Sequence, residues 1–156
     1  MFKNVVVALD GSHCSDRALD VALDLAKRLG SRLAICSIAD PTPLYGTLEP
    51  AVLVENTLEE IRREAHDVVA HALAKAREVR VRAAGYTGEG EPVQEICAYA
   101  TMIESDCIVI GTHGRSGVRR LFMGSIAEGV MRRAAVPVMT VREEARVGGL
   151  LAATAS

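Results

Sequence analysis

The chain has 156 residues, 49% apolar and 24% charged, with a formal charge of -2. That is enough apolar chain to bury one real core, and the slightly acidic balance excludes a general nucleic-acid binder, which carries a basic surplus. The four cysteines show no C-x-x-C pairing and the four histidines fall at no zincin or zinc-finger spacing, so neither a disulfide framework nor a structural metal is supported.

Residues Met1 to Asn4 lead straight into an apolar run without an h-region, and no run reaches membrane-spanning length. A cytoplasmic protein with no membrane partner is expected. Val5 to Leu9 is a run of the kind a strand buried on both faces produces, and it stops at the turn signal Asp10-Gly11-Ser12 with a carboxylate at its end. A helix follows, for which Ser12 and Ser15 are both candidate caps; Ala18, Ala22, Leu25 and Leu29 keep its period until Gly30 stops it. Leu33 to Ala39 is a second strand, ending at Asp40-Pro41 and completing a βαβ unit.

Pro41 to Glu55 contains three prolines and no sustained period, and reads as an irregular excursion over one end of the sheet. A long helix is expected from about Asn56 to Glu78, with Thr57 as its cap and Ile61, Ala65, Val68, Ala72 and Ala76 on its buried face. Val79 to Ala84 reads as a short third strand and Gly85 to Gly90 as a loop. Pro92 fits the first turn of the next helix, whose stripe is Val93, Ile96, Cys97, Ala100 and Ile103.

The most informative stretch comes next. Cys107 to Ile110 is a continuous β-branched run that delivers a glycine-rich loop, with Gly111, Gly114, Gly117 and Gly124, before Ser125 opens a helix with Ile126, Val130 and Ala134 toward the core. Backbone N–H groups at a helix start favour anions, so the arrangement reads as a phosphate cradle. Its spacing is neither a Walker A loop nor a dinucleotide fingerprint. Arg115, Arg119, Arg120, Arg132 and Arg133 cluster around it in sequence, and planar bidentate donors suit phosphate oxygens. Val136 to Val141 is a fifth strand in which Pro137 indicates an edge position or a strand start, and 143–156 lacks a core-forming pattern and reads as a flexible tail. Alternating strands and helices imply a five-stranded, mostly parallel sheet between helices, an open doubly wound α/β sandwich with strands one and four as neighbours at a topological switch point. A single domain over 1–142 is expected.

The pattern Gly111-x2-Gly114-x9-Gly124-Ser125 resembles the nucleotide-binding motif of the ATP-binding universal stress proteins. The resemblance extends over about Phe2 to Arg142, through Val6 to Ser12, Glu89 to Pro92, Asp106 to Gly117, Met123 to Glu128 and Val136 to Val141. It implies an adenine-nucleotide alpha-hydrolase-like fold, ATP as ligand with Mg2+ bridging the phosphates, a homodimer along Val136 to Val141, and a stress-regulatory role with slow or no hydrolysis. Carried over by position, Ala8, Leu9 and Asp10 would lie beside the nucleotide, and Ile38 and Ala39 would offer backbone to the base. Gly111, Thr112, His113, Gly114 and Arg115 would line the ribose and phosphate path, and Gly124, Ser125 and Ile126 would hold the phosphates. No lysine sits in the loop and no nucleophile or paired-carboxylate constellation accompanies it, so binding is expected over turnover. A nucleotide-free interaction dimer and a weak ATPase or adenylyl-transferring enzyme are the alternatives; the downstream protein partner is unknown from sequence.

Overall fold

The computed structural model describes residues 2–46, 50–113 and 123–142. Among these, β1 (Asn4–Ala8), α1 (His13–Leu29), β2 (Arg32–Ala39), α2 (Ala51–Glu78), β3 (Ala83–Glu89), α3 (Pro92–Met102), β4 (Cys107–Gly111), α4 (Ser125–Arg133) and β5 (Val138–Val141) follow one another, with one 3-10 turn, Thr42–Leu44, between β2 and α2. All strand pairs are parallel and the order is β3-β2-β1-β4-β5. The expected five-stranded α/β architecture is the one observed.

Side chains on a strand alternate between faces, and here both faces are covered. Val5, Val7, Leu33, Ile35 and Val109 pack with α1 and α2 residues such as Leu19, Ala22, Val69 and Ala72 on one side. Val6, Ala8, Ala34, Cys36, Ile108 and Ile110 pack with Ile96, Tyr99 and Ala100 of α3 and Ala127 and Val130 of α4 on the other. This is why the strand sequences are unbroken apolar runs. Burial also pushes the Cys36 thiol up to about 12 and raises Cys97 and Cys107, and all four cysteines are free.

Helix α1 ends as its sequence requires, with the Ser12 hydroxyl accepting from the Ser15 N–H and Gly30 in the left-handed region at φ 68. Its inner face is Ala18, Leu19, Ala22, Leu23 and Ala26, so Leu29, counted on that face from periodicity, lies exposed at its end. Ser12, not Ser15, is the cap.

Two boundaries differ from the sequence expectation. Helix α2 begins at Ala51 behind Pro50, and Thr57 is inside it, its hydroxyl donating to the Leu53 carbonyl at 2.9 Å instead of capping. The first turn escaped a periodicity reading because its apolar residues are not buried: Val52 is 71% and Leu53 51% exposed. The third strand is Ala83–Glu89, not Val79 to Ala84. Residues 79–82 are the exit turn of α2, where Arg80 takes φ 61 and the Val81 N–H donates to the Ala76 carbonyl. Gly85, expected in a loop, is a strand residue that α2 crosses: a Cβ there would stand 2.5 Å from Val69 Cγ1 and 2.9 Å from Leu73 Cδ1, while Gly90 does lie beyond the strand. Tyr86 of this strand stacks on Tyr99 of α3, ring centroids 4.1 Å apart, which buries a tyrosine the helical stripe had omitted.

At the amino-terminal edge of the sheet, Asp106 binds β1 to β4: its carboxylate accepts the Lys3 N–H at 2.6 Å and the Asn4 N–H at 2.8 Å. Those two bonds, Asn4 first, hold the carboxyl below its ordinary value against an opposing effect of desolvation. A depressed carboxylate contributes stability that is present above the unfolded value of about 3.9 and is lost as pH falls through the folded value. Asp106→Asn is therefore expected to destabilise the protein at pH 7 by an amount that shrinks as the pH drops below about 4. Urea denaturation of both forms from pH 7 to pH 3 measures this, and a gap independent of pH contradicts the assignment.

Candidate functional site

Between β1 and β4 the chain changes direction: β1 leads through α1 toward β2 on one side, and β4 leads through α4 toward β5 on the other. Two parallel strands whose connections diverge leave a crevice at their carboxyl ends. A cavity of about 550 Å³ lies there, within the range of small-molecule sites.

One wall is the end of β1, Ala8, Leu9 and Asp10; another is the end of β4 with Gly111, Thr112 and His113; Gly124 to Ala127 close it from α4. Ile38 lines it from β2, but Ala39 does not, being 3% exposed with its carbonyl accepting the Gly90 N–H at 3.0 Å. Ile126, expected to face the core, is 37% exposed and lines the cavity; Ala127 and Val130 are the buried residues of α4. Gly114 and Arg115 lie outside the described residues, as do Gly117, Arg119 and Arg120. Arg132 and Arg133 sit in the last turn of α4, opposite its Ser125 end, and Arg132 pairs with Glu128, so these two do not join the cradle.

The helix start at Ser125 differs from its counterparts at α1 and α3. Ser12 and Glu91 cap those with side chains, whereas Gly124 at the start of α4 supplies no side-chain bond. The first intrahelical bond is Glu128 N–H to the Gly124 carbonyl, so the N–H groups of Ser125, Ile126 and Ala127 precede the ladder at the cavity wall. With the helix dipole behind them, they form a positive corner.

The floor is held by short polar ties. Asp10 Oδ1 accepts the Ser12 N–H at 3.0 Å across the Asp10-Gly11-Ser12 turn, where Gly11 takes φ 77. The Ser12 hydroxyl, besides capping α1, donates to the His113 carbonyl at 3.3 Å. Thr112 is 2% exposed; its N–H donates to the Val141 carbonyl at 2.8 Å and its carbonyl accepts the Gly124 N–H at 2.6 Å. The Gly124 bond fastens the start of α4 beside the end of β4.

Gly111 has a packing role beyond ligand access. A Cβ there would meet the Cys14 carbonyl carbon at 2.9 Å and its oxygen at 3.0 Å, so the first turn of α1 rests directly on the strand end. Sequence reading missed the far wall altogether, Ile61, Glu64, Ala65 and Val68 of α2 together with Asp40 and Pro43. Ala65 and Val68 fall on the helix's inner stripe, but periodicity alone does not separate residues that touch a sheet from residues that roof a cavity. Asp40 was legible as a second carboxylate ending a strand; its Oδ1 accepts both the Thr42 N–H and hydroxyl. Among the described residues the lining carries Asp10, Asp40 and Glu64, and its described anion-favouring corner is the start of α4.

Comparison with known proteins agrees with this architecture. The model of the "Universal stress protein family" matches residues 1–142. Universal stress protein YxiE of Bacillus subtilis (strain 168) is 32% identical over 148 residues, covering 91% of this chain and all of that protein. The solved structure of hypothetical protein MJ0577 superposes with a TM-score of 0.83 at 19% identity, over 92% of this chain and 98% of that one, a likeness of fold. A universal stress protein solved in complex with cAMP superposes with a TM-score of 0.68 at 25% identity, over 90% and 97% of the two chains.

Proposed function

The chain belongs to the universal stress protein family, and from that premise we propose that it binds ATP in the cavity between β1 and β4 and acts as a stress-response regulatory module. The observation that carries the proposal is the uncapped start of α4 opening into the cavity wall. A phosphate there gains three backbone N–H groups and the helix dipole without displacing a protein cap. The cAMP complex of a relative supports an adenine nucleotide as the class of ligand.

In this reading the base lies toward Ile38 and the α2 wall, where Ile61, Ala65 and Val68 offer apolar surface. The phosphates lie toward Ser125. The residues fit a metal-bound nucleotide: with Asp10, Asp40 and Glu64 as the described ionic groups of the lining, Mg2+ neutralising the phosphates removes a repulsion that free ATP would meet. Mg2+ keeps most of its ligands as water and phosphate oxygen, so Asp10 suffices as a single protein carboxylate beside it. In this reading binding is the activity and any hydrolysis is slow, in keeping with a glycine-rich loop sequence that contains no lysine.

Assembly follows from the sheet order. β5 pairs with β4 on one side and with no strand on the other among the described residues. Val138, Met139 and Thr140 are half-buried along that edge, and an unpaired edge is a template for a second copy of the same chain. Cytoplasmic location and a single domain over 1–142 complete the reading.

Two outcomes are expected. MgATP at about 100 times Kd raises thermal stability by about 2.7 kcal/mol, read as a rise of several degrees in the melting temperature of protein cleared of copurified nucleotide. Gly124→Val abolishes the rise; an unchanged midpoint in the wild type contradicts nucleotide binding. By analytical ultracentrifugation at micromolar concentration the wild type sediments as a dimer and Thr140→Pro, which removes a ladder donor, as a monomer. A monomeric wild type, or a dimer indifferent to the change, places the interface elsewhere.

A further inference from the structure

Helix α2 is held to the sheet unevenly. Its buried residues are Ala65, Val69, Ala72 and Ala76, and Gly85 of β3 leaves room for Val69 and Leu73 to rest on the strand. Residues Ala51 to Glu64 contribute no buried side chain. At a rise of about 1.5 Å per residue that is roughly 20 Å of helix beyond the packed half. Ile61 and Glu64 of the cavity's far wall belong to this outer half, with Ala65 at its boundary. Apolar burial fixes the inner half, so the outer half needs a different tie.

Arg62 supplies one. Its Nε donates to Glu89 Oε2 at 2.8 Å and its Nη2 to Glu89 Oε1 at 3.3 Å, a two-bonded pairing with the last residue of β3. Its Nη1 donates to Glu59 Oε1 at 2.9 Å and lies 3.9 Å from Glu55 Oε1. Glu89 stands in register with Ala39 at the end of β2, and the Gly90 N–H donates to the Ala39 carbonyl. The pairing therefore reaches the strand end from which Ile38 and Asp40 line the cavity. A lone exposed ion pair contributes little, but a planar guanidinium bonded twice to one carboxylate and shared among three is the arrangement in which exposed charges count. Without it, Glu55, Glu59 and Glu89 repel one another.

We propose that Arg62 is a positioning residue that clamps the outer half of α2 over the cavity through Glu89, and that ionic strength, by screening this clamp, sets how fast the ligand leaves. The second half rests on the reading of the cavity as a nucleotide site. Both partners keep their charge around neutral pH: a guanidinium stays protonated, and its hydrogen bonds hold the Glu89 carboxyl below its ordinary value. Salt is then the variable that loosens the clamp, because all four side chains are open to solvent. Raising it from about 0.1 M to about 1 M shortens the screening length from roughly 10 Å to roughly 3 Å.

The test has two independent parts. In the first, without nucleotide, amide hydrogen–deuterium exchange is followed by mass spectrometry in peptides from residues 51–64, with α3 as the internal control. At about 0.1 M KCl both Arg62→Met and Glu89→Gln are expected to exchange there about three- to fivefold faster than the wild type. Arg62→Lys, which keeps the charge but not the paired donors, falls between, and the double variant is no faster than either single one. Wild-type exchange in Glu89→Gln, or effects of the two changes that add, overturns the clamp. In the second part, release of a fluorescent N-methylanthraniloyl ATP, bound with Mg2+, is timed by stopped flow against excess MgATP. Release is expected to be about three- to fivefold faster in Glu89→Gln and in Arg62→Met at the lower salt, and the wild type to converge on them at about 1 M KCl. Equal rates at the lower salt, or a gap that persists at the higher, overturns the control of access by ionic strength. A wild type that binds no nucleotide sinks the nucleotide reading and the access half with it, while the exchange result decides the clamp by itself.

Discussion

The juxtaposition of β1 and β4 as parallel neighbours governs this molecule. Val5 to Ala8 pair in register with Cys107 to Ile110, yet one strand feeds α1 and the other leads to α4, on opposite faces of the sheet. Right-handed crossovers on the two sides carry the chain apart above the strand ends. The strand ends there gather a carboxylate turn, a strand-end threonine and a helix start. Asp106 secures the opposite end of the same strand pair through backbone N–H groups of Lys3 and Asn4.

Close backbone approach is the second condition. Gly111 lets the first turn of α1 lie against the end of β4, and Gly85 lets α2 cross β3. In both places the missing Cβ serves helix packing, and at Gly111 the same contact sets the position of Ser12 and Cys14 relative to Thr112. The buried Thr112 then joins four segments: β5 through its N–H, α4 through its carbonyl, α1 through Cys14, and His113 through its hydroxyl. A ligand that engages α4 therefore acts on a node shared with β5, the strand at the sheet edge.

Much of this was legible before any coordinates. Continuous β-branched runs named β1, β2 and β4, Gly30 and Pro92 marked helix ends, and the glycine spacing after β4 pointed to the strand ends where the cavity lies. What the sequence concealed has physical causes. Glycines read as turn residues became strand residues, Gly85 beneath α2 and Gly88 beside the side chains of Ile38 and Tyr86, and the exposed Val52 and Leu53 hid the first turn of α2. Ala39, placed at the site by position, uses its carbonyl in the sheet instead. The α2 wall was invisible because its residues are distant in sequence and obey the same period as any buried face. Arg132 and Arg133, close to Ser125 in sequence, are carried to the other end of α4 by its 1.5 Å rise per residue.

The central claim is that an adenine nucleotide places its phosphates on the start of α4. Backbone amide proton–nitrogen spectra of labelled protein, with and without MgATP, test it most directly. The account predicts that the Ser125, Ile126 and Ala127 amides move most, with Gly111 and Thr112 following, while the distant turn at Arg80 to Arg82 stays fixed. Saturable shifts concentrated elsewhere, with the Ser125 to Ala127 amides unmoved, would contradict it.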